Sequence, residues 1–168
     1  IIDSSDLPLN VSREILQQNR VLSKIRSNSV KKIINKIKSI SKNQEKYKLF
    51  YDQYGRMIKE GVYQDYENKE ELLELLRFKS TTEDGMVSLR DYTERLQSEQ
   101  KYIYYLVGEN ETSLRNSPLL EMYKKKNIEV LIMDDEVDEV IMPSITKYKD
   151  FELKAVNRSS AADELKDE

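Results

Sequence analysis

Apolar residues recur every three or four positions from Ile15 to Ile40: Ile15, Leu16, Val21, Leu22, Ile25, Val30, Ile33, Ile34, Ile37, Ile40. This spacing predicts one amphipathic helix of roughly 28 residues, longer than most globular helices, starting at Asn10 or Ser12 as N-cap. Pro8 ahead of it keeps Leu7 extended, so residues 1–10 read as a loop. "ISKNQ" (40–44) breaks the stripe, with Ser41 or Asn43 placed to cap a second helix over 45–62. That helix carries Tyr47, Phe50, Tyr51, Tyr54 and Ile58, and Gly61 reads as its left-handed C-cap. A third helix is expected over 68–80, through Leu72, Leu73, Leu75 and Leu76.

The pattern changes at "TTEDG" (81–85), which ends in an Asp-Gly turn signal. Ser88 caps a short helix over 89–96. "KYIYYLVG" (101–108) is apolar or aromatic almost throughout. Ser117 and Pro118 then form a cap and first helical turn ahead of "LLEMYKKK", with Asn127 as the stop. "IEVLIM" (128–133) is a second apolar run. A strand, helix, strand order with nearly continuous apolar strands predicts parallel pairing and a right-handed crossover. A further helix over 137–148 is expected to kink or break near Pro143, and "FELKAV" (151–156) alternates like an edge strand. The fold class is therefore α/β and helix-rich: a long helix and three-helix coil, then a small α/β/α sandwich with a short, mainly parallel sheet.

Composition removes several chemistries. The 168 residues contain no Cys, His or Trp. Disulfides, thiolate nucleophiles, histidine bases and the usual zinc ligands are all excluded. The chain starts at Ile1 and reads as a piece of a longer intracellular protein, expected in the cytoplasm, with no run of membrane-spanning length. The net charge of −3 conceals a basic stretch before residue 48 and acidic runs at "DDEVDE" (134–139) and "DELKDE" (163–168). Lys24, Arg26, Lys31, Lys32, Lys36 and Lys38 make a basic helix face. A nucleic-acid-binding helix is the alternative reading, but no aromatic residue interleaves the basic ones. The carboxylates of "DDEVDE" read as helix caps, because the glycine and spacing of a calcium loop are missing.

The chemistry at the start of the chain is ambiguous by itself. Arg13 and Gln17 sit one turn apart, so both project from one helix face. A solvated or ion-paired arginine is the ordinary reading of such a pair.

"DSSDLPLNVSREILQQN", "KIRSNSVKKI", "MVSLRDYTERL", "QKYIYYLVGE", "IEVLIMDDEVDE" and "ITKYKDFELKAV" occur in this order. Together they resemble the middle domain of the Hsp90 chaperones, bacterial branch, from Asp3 to about Val156. The resemblance implies four segments: 1–42, a catalytic loop (Leu7–Asn10) and the last long helix of the first middle subdomain; 43–80, the helical coil; 81–156, the small sandwich; 157–168, a tail. It implies that Arg13 reaches the γ-phosphate of ATP bound with Mg²⁺ in a separate N-terminal domain, assisted by Gln17. The chain alone is then inactive, with no cofactor of its own. It further implies a homodimer joined through a C-terminal domain, and non-native client proteins contacted near Glu139 and Val140. The family often carries a bulkier residue where Val140 stands, so the contact is expected to be weaker or to move toward Met142. Successive residues are about 100° apart on a helix, so Val140, Ile141, Met142 and Ile145 are not expected to share one buried face. An exposed apolar surface on that helix follows.

Overall fold

A computed structural model of the chain describes residues 20–98 and 100–157. It divides into two units, Ile1–Tyr47 and Lys48–Glu168. In the first, α1 (Arg20–Ser41) buries Ile34 and half-buries Leu22, Ile25, Val30, Ile37 and Ile40 along the predicted stripe. Ile33 lies off it and is exposed, and so are Lys24, Arg26, Lys31, Lys32 and Lys36. Of the two cap candidates, Asn43 caps the next helix: its Oδ1 accepts from Lys46 N at 3.0 Å. The Ser41 hydroxyl instead donates back to Lys38 O.

Two expectations about the helical coil are corrected. First, α2 runs over Gln44–Gln64, so Gly61 lies inside it and not at a left-handed end. The glycine matters for a different reason: a Cβ there would stand 3.3 Å from Leu72 Cδ1, so its bare backbone lets α3 pack close. Second, α3 is short, Lys69–Leu73, and does not continue to residue 80. Arg77 ends the helical course. Its N–H donates to Tyr51 Oη, and its guanidinium donates to the carbonyls of Glu74 and Leu76. The chain then enters the sheet as β1 (Phe78–Ser80), with Phe78 buried. Tertiary burial outweighs the helical leucine pattern here.

Gly85, at φ +95°, turns the chain back into β2 (Met86–Val87). Helix α4 (Leu89–Glu94) follows behind a capping box, with Ser88 and Asp91 each accepting from the other's N–H at 3.0 Å. Burial alone would push the Asp91 carboxyl up. The Ser88 hydroxyl and N–H, helped by Arg77 and Arg95, outweigh that and hold it below its usual value. A carboxyl depressed by folding stabilises the fold above its ordinary pKa of 3.8 and loses that contribution as pH falls through the folded value. Ser88→Ala should therefore cost about 0.5–2 kcal/mol at neutral pH. The cost should shrink on acidification below the carboxylate range. Urea unfolding at the two pH values measures both.

Among the described residues the sheet has six strands in the order β2-β1-β4-β3-β6-β5. The remaining strands are β3 (Tyr102–Val107), β4 (Val130–Met133), β5 (Lys147–Tyr148) and β6 (Phe151–Ala155). β3 pairs in parallel with both β4 and β6, as the apolar runs predicted for the first two. The β1–β2, β1–β4 and β5–β6 pairs are antiparallel, so the sheet is mixed around a parallel β4-β3-β6 centre. The expected edge strand β6 lies inside, and the two-residue strands β2 and β5 form the edges.

Between β3 and β4 come α5 (Glu111–Arg115), which the sequence reading missed, a 3₁₀ turn (Pro118–Leu120) and α6 (Glu121–Lys125). Asn110 caps the missed helix, accepting from Ser113 N. Asn127 stops α6 at φ 54°, as its position predicted. Leu114, Leu120 and Tyr123 from these helices pack on Tyr104, Leu106, Val130 and Ile132, which share one sheet face. The alternate residues Ile103, Tyr105, Leu131 and Met133 are buried on the other face, where Phe78 of β1 also points. The Lys59 ammonium of α2 lies 5.6 Å from that Phe78 ring. Helices thus cover both faces.

Candidate functional site

After β4 the acidic run enters α7 (Glu136–Ile141), and each of its first carboxylates has a separate task. Asp134 Oδ2 takes Lys79 Nζ of β1 at 2.7 Å, and the same ammonium meets Glu111 at 2.8 Å. Asp135 is the N-cap, accepting from Val137 N at 3.3 Å, while Asp138 accepts from Asp135 N. The cap reading of "DDEVDE" thus describes Asp135 and Asp138.

Asp138 does more than cap. Its side chain is fully buried, and Lys59 Nζ, itself only 6% exposed, stands 2.7 and 2.9 Å from its two oxygens. Asp135 Oδ2 is 3.5 Å from the same ammonium. Burial pushes the Asp138 carboxyl up, and the charge and hydrogen bonds of Lys59 counter it in part. Asp138 is thus buried on the inward face of α7, opposite the exposed side. Glu139 and Val140 are exposed, Val140 by 60%.

The expected exposed surface is narrower than the helical wheel implied. Val137, Ile141, Met142 and Ile145 are all buried, Met142 to 2% exposure. The reason is a change of helix type. α7 stops at Ile141, and Met142–Ser144 form a 3₁₀ turn around Pro143. The tighter winding carries Met142 and Ile145 back into the core. Residues 147–148, expected to be helical, are β5. Glu139 and Val140 therefore stay at the surface and Met142 does not. Arg13 and Gln17 lie outside the described residues.

Two further polar anchors hold the sandwich. Arg95 grips the buried Glu129 with two hydrogen bonds, at 3.0 and 2.8 Å, and Ser80 Oγ donates to the same carboxylate at 2.6 Å. The Tyr92 hydroxyl donates to Glu129 O and accepts from Tyr104 N, and burial keeps it protonated by pushing its pKa up. Residues tens of positions apart leave no local pattern, so neither anchor nor the Lys59 pair was open to sequence reading. Among the described residues no group of three or more acidic side chains is arranged to hold a metal ion. No described helix is long and apolar enough to cross a membrane.

The second unit is a mixed α/β fold with Glu139 and Val140 exposed at one helix corner, and α1 in the first unit carries a basic face. Comparison with known proteins makes this specific. The family model described as Hsp90 protein matches residues 1–168. Chaperone protein HtpG of Borrelia garinii is 54% identical over all of this chain, which covers 27% of that protein. HtpG of Aliarcobacter butzleri is 64% identical over 93% of this chain, covering 25% of that protein. Among solved structures, the middle domain of a Plasmodium falciparum heat shock protein superposes with a TM-score of 0.79 at 35% identity. That match covers 84% of this chain and 61% of the other. The chain belongs to the Hsp90 family and has the fold of an Hsp90 middle domain. It spans about a quarter of the length of these HtpG relatives.

Proposed function

We propose that this chain is the part of an ATP-hydrolysing chaperone that delivers Arg13 and Gln17 to nucleotide held by another domain and offers Glu139 and Val140 to non-native proteins. The observation that carries the reading is the family match over every residue, with "LPLNVSREILQ" intact at its start. A guanidinium is permanently charged and forks onto phosphate oxygens. Brought to a γ-phosphate, it stabilises the charge that spreads over the transferring group. ATP and Mg²⁺ would be held mainly by the N-terminal domain. The reading includes a cytoplasmic homodimer joined through a C-terminal domain.

The test is to add this chain to the isolated nucleotide-binding domain of its full-length protein and follow ATP turnover. Stimulation that disappears with Arg13→Ala supports the reading. No stimulation, with salt-dependent binding of generic duplex DNA at physiological salt, favours the basic-helix alternative on α1.

The client surface rests on Val140, an apolar side chain left at the surface of a helix that buries its other apolar residues. Val140→Asp in the full-length protein should weaken suppression of client aggregation and leave the melting temperature within a degree or two, since exposed substitutions change stability by about 0.5 kcal/mol or less. Unchanged suppression with a weakened dimer would assign this corner to packing between domains.

A further inference from the structure

We propose that Asp84 is a site of spontaneous backbone isomerisation in the folded protein, producing an isoaspartyl linkage to Gly85. In this reaction the Gly85 backbone nitrogen attacks Asp84 Cγ. A C–N bond forms, and the departing side-chain oxygen leaves as water with the carboxyl and amide protons. Water then adds to the resulting five-membered imide. Addition at Cγ restores aspartate. Addition at the former main-chain carbonyl breaks its bond to the Gly85 nitrogen, so the chain now runs through the side chain. Nothing is oxidised or reduced. The product carries a free α-carboxylate and belongs to the substrate class of enzymes that methylate isoaspartyl groups.

Three observations place the reaction here. Asp84–Gly85 is the only Asp-Gly pair in the sequence, and there is no Asn-Gly pair. Glycine offers the attacking nitrogen without a side chain in the way, and Gly85 sits in open space, where an added Cβ would meet no atom within 4 Å. Asp84 is exposed, and among the described residues its carboxylate makes no hydrogen bond or ion pair. Its neighbours differ. The N–H groups of Thr82 and Glu83 both donate to Ser80 Oγ. Asp65, Asp91, Asp134, Asp135 and Asp138 are all engaged through their carboxylates. The turn is thus anchored on one side and unrestrained at the reacting pair.

The modification would act on the β1–β2 hairpin. It adds one carbon to the backbone path, about 1.5 Å of chain. The hairpin is held by only two residue pairs, Phe78 with Val87 and Lys79 with Met86. The Ser88 cap of α4 follows at once.

The test is to age the protein at physiological pH and temperature beside a synthetic peptide spanning residues 80–88. Isoaspartate at 84 is then mapped by electron-transfer fragmentation mass spectrometry and by methyl acceptance with an isoaspartyl methyltransferase. The expected result is isoaspartate at Asp84 above every other described aspartate, accumulating at the rate seen in the peptide. Asp84→Glu should abolish it, because the ring would need six members, while the circular dichroism stays that of the parent. Asp84→Asn should accelerate it, because the amide nitrogen leaves as ammonia. Isoaspartate in the peptide but not in the protein would overturn the proposal, as would methyl acceptance that persists at this position in Asp84→Glu.

Discussion

Lys59→Met is expected to destabilise the folded chain by about 3–5 kcal/mol, the cost of stripping one partner from a buried ion pair. The substitution leaves the Asp138 carboxylate fully buried with only the Asp135 N–H and no cation. Asp138 already has its carboxyl pushed up by burial. A carboxyl raised by folding contributes most to stability below its unfolded pKa and loses that contribution as pH rises through the folded value. Removing Lys59 should therefore do most harm at neutral pH and less on acidification, as Asp138 protonates. The companion variant Lys59→Met with Asp138→Leu replaces both charges by apolar groups and should recover most of the loss. Urea midpoints of the parent and the three variants, the third being Asp138→Leu alone, give the coupling. Near-zero coupling would show that the pair is incidental to the fold. The pair ties α2 to the inward face of α7, and a large coupling with little net loss in the double variant would identify it as a register device.

Arg13→Ala in the full-length protein should lower kcat by on the order of 10³-fold, the low end of what an arginine delivered from outside the nucleotide site contributes. Its effect on KM should be small, because a side chain aimed at transferring charge acts mainly in the transition state. Stability should change by no more than about 0.5 kcal/mol, as for substitutions away from packing features. Gln17→Ala should fall in the same direction with a smaller loss, since an amide carries no net charge. Steady-state ATPase assays with thermal melts separate the cases. An intact rate, or a melting point well below the parent, would make the arginine structural.

Where the sequence was legible, the signals were local. The stripe on α1, the caps Ser88, Ser117 and Asn127, and the apolar runs of β3 and β4 are each written within a few residues. Where it misled, a distant partner decided. The leucines at 72–76 read as helix, yet Arg77 and the sheet claim the chain after Leu73. Met142 fits a helical wheel as an exposed residue, yet a 3₁₀ turn folds it inward. Lys59 carries no local signal of its role, because its partner stands 79 positions away. The reading of Arg13 and Gln17 rests on resemblance alone, since two polar residues one turn apart specify no ligand.

The ends of the sheet bear on how such a domain could handle unfolded chains. An unfolded polypeptide carries free N–H and C=O groups and will add itself as an extra strand wherever a long edge is open. Among the described residues each edge is a strand of two residues, with Lys147 exposed in one and Met86 in the other. So short a ladder can offer an incoming strand very few backbone bonds. If the proposed client surface holds, a non-native chain would meet it through side chains such as Val140 and not through strand pairing. Edges this short guard the domain against joining an aggregate strand by strand.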